Sequence, residues 1–259
     1  METTPVQTVF NRYENKYLMP KEVYIALRRR LAPYMQEDQY GLTTICNIYY
    51  DTPDDLLVRR SNDCPVYKEK LRLRSYGVPN LDSIAFLEIK KKYQGLVNKR
   101  RVTMPLHEAY AYVEQGVRPS GEHPPAEEQI LREIDFFLQR YPLKRGMYLS
   151  YERIAMFATE DPAFRVTFDT NILGRREDMG LENGAYGTKL LPEGYYLMET
   201  KVLAATPLWF THILSELKIY RTRFSKYGNL YRLEHGNYGT EEMMIHRLEN
   251  WKEGELIHV

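Results

Sequence analysis

Between Lys70 and Arg74 every second residue is a cation and the residues between are leucine, KLRLR. In an extended strand successive side chains point to opposite faces. A strand over Lys68–Tyr76 therefore turns Lys70, Arg72 and Arg74 one way and Leu71 and Leu73 the other. The pattern recurs along the chain. In Ala85–Lys92, Glu88 and Lys90 oppose Leu87 and Ile89. In Asn98–Met104, Lys99, Arg101 and Thr103 oppose Val102 and Met104. Met147–Phe157 puts Tyr151 and Arg153 on one face, and Phe164–Thr170 sets Arg165, Thr167 and Asp169 against Val166 and Phe168. Tyr195–Val202 sets Glu199 and Lys201 against Met198 and Val202, and Val9–Leu18 and Thr43–Thr52 read as two more strands.

Helices punctuate these strands. Pro20 precedes apolar residues at helical spacing over Glu22–Tyr34. Pro105–Gln115 is closed by Gly116. Ala126–Tyr141 carries Ile130, Ile134, Phe137 and Leu138 on one stripe, and Thr206 with Pro207 opens a helix to about Tyr220. Arg118–Pro125 reads as a surface loop between two helices, and Gly174–Glu193 as a second loop. Neither break starts a new composition, so one domain over 1–259 is expected, with residues 240–259 as a helical extension.

Several function classes are excluded or disfavoured. No stretch reaches the roughly 18 apolar residues of a membrane helix, and no signal peptide is evident. The two cysteines, Cys46 and Cys64, match no zinc or redox spacing and read as reduced thiols of a cytoplasmic protein. The scattered histidines offer no metal pair, and no phosphate loop or nucleophile turn is present. Chemistry must rest on Lys, Arg, carboxylates and Tyr. Nucleic acid is disfavoured because aromatics do not interleave the basic faces.

About eight segments thus pair a mostly cationic face with an apolar one. If antiparallel strands close into a barrel, alternate residues face its lumen. With helices on the outside, the apolar residues point outward and the lumen is polar. The expected fold is α+β: a closed antiparallel β-barrel with helices packed on its outside. Like charges a few ångströms apart repel by on the order of kcal/mol each at an effective dielectric near 20, so roughly ten lumen cations call for a dense polyanion. Phosphate chains suit Arg forks and Lys point charges. The carboxylates that recur among them, Glu14, Glu88 and Glu199, suit a hard divalent cation bridging to phosphate. The net charge of +1, from 36 Lys and Arg against 35 Asp and Glu, is then a basic interior offset by acidic helices and loops.

These residues carry a family resemblance. RYENKY (12–17), IYYDT (48–52), KLRLRSYG (70–77), FLEIKKK (86–92), KRRV (99–102), SYERIAM (150–156), FRVTFDT (164–170), METKV (198–202) and RFSKYG (223–228) stand in this order. The chain resembles the vacuolar transporter chaperone (VTC) branch, the polyphosphate polymerases, of the CYTH-like triphosphate tunnel metalloenzyme superfamily. The motifs run from Arg12 to about Tyr231. The resemblance implies a tunnel binding ATP, phosphate and polyphosphate with Mn2+ or Mg2+. It implies phosphate contacts from Lys16, Arg72, Arg74, Lys90, Lys99, Arg101, Arg153, Arg165 and Lys201, with Tyr151 adding a hydroxyl. Ser225 and Lys226 would close the tunnel, Glu199 would hold metal, and Glu88 and Glu14 are further metal candidates. Whether a membrane-protein partner receives the chain is left open.

One departure bears on activity. Hydrolytic members of the superfamily open with an ExExK strand, whereas this chain reads Arg12-x-Glu14-x-Lys16. Fewer carboxylates disfavour a second, water-activating metal. The expected activity is transfer of the ATP γ-phosphate to phosphate or a growing chain. A triphosphatase on the same scaffold and a non-catalytic polyphosphate or nucleotide sensor are the alternatives.

Overall fold

The computed structural model describes residues 9–203 and 205–236. The side chain of Arg12 and the expected extension at 240–259 lie outside the described residues. The elements run β1 (Val9–Pro20), α1 (Lys21–Leu31), β2 (Met35–Glu37), β3 (Thr43–Asp51), α2 (Leu56–Asn62), β4 (Tyr67–Tyr76), β5 (Ile84–Tyr93), β6 (Leu96–Pro105), α3 (Leu106–Gln115) and α4 (Pro125–Arg140). There follow β7 (Lys144–Ala158), β8 (Arg165–Arg175), β9 (Thr188–Lys189), β10 (Tyr195–Val202), α5 (Leu208–Glu216) and α6 (Lys226–Glu234).

The strand pairings are all antiparallel. β7 bonds to β3 and also to β8, so the sheet returns on itself as β7-β3-β4-β5-β6-β1-β10-β8. β2 extends the wall beyond β3, and β9 extends it beyond β10. The thinnest seam joins β1 to β6 through Val9–Arg12 against Val97–Arg100. Past that seam the edge of β1 is met by the segment before α6. There the Thr222 amide donates to the Lys16 carbonyl (2.8 Å), and Tyr17 bridges to Arg221.

Alternation sorts the two faces of the wall. Leu71, Leu73, Leu87, Ile89, Val102 and Met104 point outward beneath α3 and α4 and pack on Ile130, Ile134 and Phe137. Met19, Val166, Phe168 and Met198 point outward beneath α1 and α5, against Leu27, Leu31, Phe210 and Ile213. Each such side chain, fully buried, contributes about 1.5–3 kcal/mol. The external helices therefore hold the wall while the charged residues stay inside.

A third cluster lies on the lumen side. Ile45, Met147, Leu149, Tyr151, Ile172 and Leu197 surround Phe224, Tyr227 and Leu230 at α6. Helix α6 thus plugs part of the lumen with apolar side chains. Gly174 makes room for it: a Cβ there would stand 2.5 Å from Leu230 Cδ2 and 2.9 Å from Leu149 Cδ2.

Some expected boundaries move. α1 ends at Leu31, because Pro33 disfavours helix in the residue before it, and Met35–Glu37 joins β7 instead. α5 ends at Glu216, and Lys218 is left-handed (φ 52°). The expected loop at 174–193 begins inside β8. It is folded around Arg175, whose guanidinium donates to the carbonyls of Asp178, Gly180, Gly184 and Tyr186 and lies 3.5 Å from the Tyr148 ring centroid. Helices α2 and α6 were not expected from sequence. Both cysteines are free, Cys46 buried and Cys64 exposed. Among the described residues no helix is long and apolar enough to cross a membrane.

Candidate functional site: a cationic lumen

Register places the charged faces of neighbouring strands side by side. Arg72 on β4 stands opposite Glu88 on β5, which stands opposite Arg101 on β6. Lys70, Lys90 and Lys99 form the next row on the same three strands. Across the barrel, Lys16 on β1 faces Glu199 on β10, and Glu14 faces Lys201, which in turn faces Arg165 on β8. Arg153 on β7 faces Asp169 on β8.

Glu88 is fully buried and organises the first wall. Arg72 donates to its Oε2 from Nε (2.9 Å) and from Nη2, and Lys99 donates to Oε1 (3.0 Å). The remaining Arg72 arm donates to the Tyr49 hydroxyl (3.1 Å). Arg74 donates to Asn47 Oδ1 and to the Tyr151 hydroxyl, both at 2.8 Å. On the opposite wall Asp169 accepts two bonds from Arg153 and one from Lys226. Lys16 donates to the Phe224 carbonyl (2.7 Å), and Lys90 to Glu14 (2.7 Å).

Glu199 is held differently. Its ion pairs with Lys16 (4.0 Å) and Lys201 (3.8 Å) are longer than hydrogen bonds. It is the lumen carboxylate with the loosest protein partners among these four.

Titration follows from this crowding. Burial, and then the Arg74 and Arg72 charges, outweigh Glu88 and bring Lys99 down to about 7. Burial, with Lys226 and Lys90, brings Lys16 down to about 8. Burial pushes the Glu14 carboxyl up, yet Lys90 and Lys201 outweigh it and hold it at about 2. Burial likewise opposes Arg153 and Lys226 at Asp169, and the two cations win, holding it at about 2. Burial thus disfavours the charged forms of Lys16, Lys70 and Lys99, whereas Lys90, Arg72 and Arg153, each bonded to a carboxylate, are held charged.

The structure brings most of the sequence-predicted residues onto the lumen face: Glu14, Lys16, Arg72, Arg74, Glu88, Lys90, Lys99, Arg101, Tyr151, Arg153, Glu199, Lys201 and Lys226. Arg165 lies on the same face but is exposed. Ser225 is the N-cap of α6, its hydroxyl accepting the Gly228 amide (3.1 Å). Sequence reasoning gave no role to Asp169, Tyr49 or Asn47. The alternation in FRVTFDT puts Asp169 on the correct strand face, but nothing local in the sequence shows that Arg153 and Lys226 converge on it.

Among the described residues no three of His, Cys, Asp and Glu converge on one point. A divalent cation here would take few protein ligands and complete its shell with phosphate and water oxygens, the usual habit of Mg2+. Glu199 fits that demand, with Glu14 two register positions away diagonally. While its three hydrogen bonds stand, Glu88 has little to offer a metal.

The chain thus combines an antiparallel barrel, helices on its outside and a cationic lumen. The VTC domain profile matches residues 11–235, and the chain belongs to that family. One solved structure shares the fold, and a second is similar over much of the chain. A candidate adenylate cyclase from Bacillus halodurans is 19% identical, with a TM-score of 0.52 over 85% of this chain and 96% of that one. A candidate adenylyl cyclase from Hippeastrum, described as having a dominant triphosphatase activity, is 15% identical, with a TM-score of 0.49 over 87% of this chain and 96% of that one. No curated protein matches the chain.

Proposed function

We propose that this protein is a metal-assisted polyphosphate polymerase that moves the terminal phosphoryl group of ATP onto phosphate or a growing polyphosphate chain. The observation that carries the reading is the lumen itself. Among the described residues, Lys16, Lys70, Arg72, Arg74, Lys90, Lys99, Arg101, Arg153, Lys201 and Lys226 share it with the carboxylates Glu14, Glu88, Asp169 and Glu199. Membership of the VTC domain family supports the same substrate class.

Phosphoryl transfer needs positioning and charge stabilisation more than covalent help from the protein. Arg72, Arg74 and Arg153 present planar donors that can exchange their present partners for phosphate oxygens. Lys16, Lys99 and Lys201 add charge around them. Glu199, assisted by Glu14, would hold Mn2+ or Mg2+, which supplies neutralisation of the donor phosphates. Glu88, Glu14 and Asp169 each accept from a cation, so none stands ready as a base for water. A phosphate acceptor needs no such base, because it already carries unprotonated oxygens near neutral pH. That arrangement supports transfer over hydrolysis.

The test is direct. Protein incubated with ATP and Mn2+ should give a ladder of phosphate chains on a polyacrylamide gel. Orthophosphate alone, released from ATP or inorganic triphosphate, would establish the triphosphatase instead. Tight binding without turnover would establish the sensor.

A further inference from the structure

Along β4 the lumen face carries four cations in a row: Arg74, Arg72, Lys70 and Lys68. At about 3.3 Å per residue the row is about 20 Å long. Its two halves differ in their partners. Arg74 is held by Asn47 and Tyr151, and Arg72 by Glu88 and Tyr49. Lys70 faces Lys90 directly across the sheet, and its ammonium lies 5.0 Å from the centroid of the Tyr227 ring. Lys68 faces Lys92 and donates to the Ser61 carbonyl (3.1 Å). Among the described residues no ion pair joins Lys68, Lys70 or Lys92 to an acid. Like charges directly opposite each other weaken an antiparallel pair, and a ring face offsets a buried ammonium only in part. Lys90 is met by Glu14 (2.7 Å), but Lys70 opposite it and the Lys68–Lys92 pair have no carboxylate among the described residues, and an anion lying among these three supplies the missing charge.

We infer that Lys70, with Lys68 and Lys92, forms a second anion subsite that holds the phosphoryl acceptor, an orthophosphate or the end of a phosphate chain. The existence of the subsite follows from the charge geometry, and its role as acceptor site rests on the polymerase reading above. Lys70 follows Arg72 on the same face at about 6.6 Å. The acceptor therefore abuts the donor's terminal phosphate on the side away from Arg74. An unprotonated acceptor oxygen forms a bond to the donor's terminal phosphorus. The bond from that phosphorus to the β,γ-bridging oxygen breaks, and its electron pair leaves with the nucleoside diphosphate. A hydrolase needs no second cationic subsite for its acceptor, because water carries no charge. Burial first, and then Lys68, Lys90, Lys16 and Arg72, hold Lys70 well below the usual ammonium range, and a phosphate beside it removes that penalty.

Calorimetric titration of tripolyphosphate onto protein saturated with a non-hydrolysable ATP analogue tests the subsite. The wild type should bind one further tripolyphosphate. Lys70→Gln should weaken that second event at least tenfold while leaving the analogue's own affinity within threefold, and Lys70→Arg should restore it. A wild type with no second event, a Lys70→Gln variant that binds both ligands as wild type, or one that loses both equally would each overturn the assignment. Primer extension separates the two readings. If the wild type binds the second anion but never lengthens a short polyphosphate primer in the presence of ATP, the polymerase reading falls and the anion subsite stands. If primers lengthen and Lys70→Gln leaves the primer KM unmoved, the acceptor subsite falls and the polymerase stands.

Discussion

Arg153 on β7 and Asp169 on β8 face each other through two parallel hydrogen bonds, 2.6 Å from Nε and 2.8 Å from Nη2. The second oxygen of Asp169 also accepts from Lys226 (2.5 Å), at the first position of α6. One fully buried carboxylate thus ties two strands of the wall to the helix that plugs the lumen.

Removing it leaves two cations buried without a partner. Asp169→Ala should destabilise the protein by about 3–5 kcal/mol, the usual cost of breaking a buried pair from one side. Urea denaturation measures this, and added tripolyphosphate should stabilise the variant more than it stabilises the wild type. The pH dependence has a definite sign. The Asp169 carboxyl is lowered from its ordinary 3.8 to about 2. Its stabilisation is therefore present above about pH 4 and is lost as pH falls towards 2. The Asp169→Ala variant should show a flatter acid limb, and an unchanged limb would refute the account.

The metal assignment separates two carboxylates on the same face. Glu88 is held by Arg72 and Lys99 in hydrogen bonds, whereas the ion pairs of Glu199 are loose. Glu199→Gln should weaken Mn2+ binding, read by electron paramagnetic resonance in the presence of tripolyphosphate, at least tenfold. Glu88→Gln should leave Mn2+ affinity within threefold and instead weaken tripolyphosphate, because Arg72 and Lys99 lose the group that aims them. The reverse pattern would move the metal to Glu88.

How much of this was legible in the sequence depends on the range of the interaction. Period-two alternation in KLRLR or FLEIKKK is a property of neighbouring residues, so the strands, the inward cations and the outward apolar faces could all be read. The plug could not. Lys226 to Leu230 are all buried, the polar Lys226 and Asn229 among them, so α6 hides residues that a periodic reading would assign to a solvent face, and Gly228 lowers its intrinsic propensity. Helix α2 spans only seven residues, too few for a periodic signal. Asp51 lies within IYYDT (48–52), but its work is tertiary. It accepts the Leu57 and Val58 amides at the start of α2 and the hydroxyl of Tyr227 from α6. Asp169 shows the same limit, since both its cations come from other elements.

The plug makes its own demand on Gly174. A methyl group there meets Leu230, Leu149 and, at 3.4 Å, Leu190. Gly174→Ala should cost about 1–3 kcal/mol by overpacking, measured as a shift in the urea midpoint. Because α6 carries Lys226, the same change should also weaken tripolyphosphate binding. A Leu230→Ala change added to Gly174→Ala should recover part of the loss by opening space for the methyl group. A double variant no better than the sum of the two single ones would show that Gly174 is not a packing position for α6.

Lys99 predicts how ligand affinity responds to pH. It lies on β6 beside Glu88, with Arg72 and Arg74 from β4 in the same field. Burial and the two guanidinium groups bring it to about 7, against an ordinary 10.5. A bound polyanion favours the ammonium form, so affinity should be highest below pH 7 and fall as pH rises through it. Stability of the ligand-free protein runs the other way. Between about pH 7 and 10 the unfolded chain keeps a proton on this lysine that the folded protein has released, so stability rises with pH. Tripolyphosphate affinity, measured at pH 6 and pH 8.5 at fixed ionic strength, should drop several-fold in the wild type. The ligand gains charge over that interval, which by itself would strengthen binding to cations, so a drop must come from the protein. Lys99→Arg keeps its charge throughout and should flatten the profile; if it titrates as steeply as the wild type, another group controls the response.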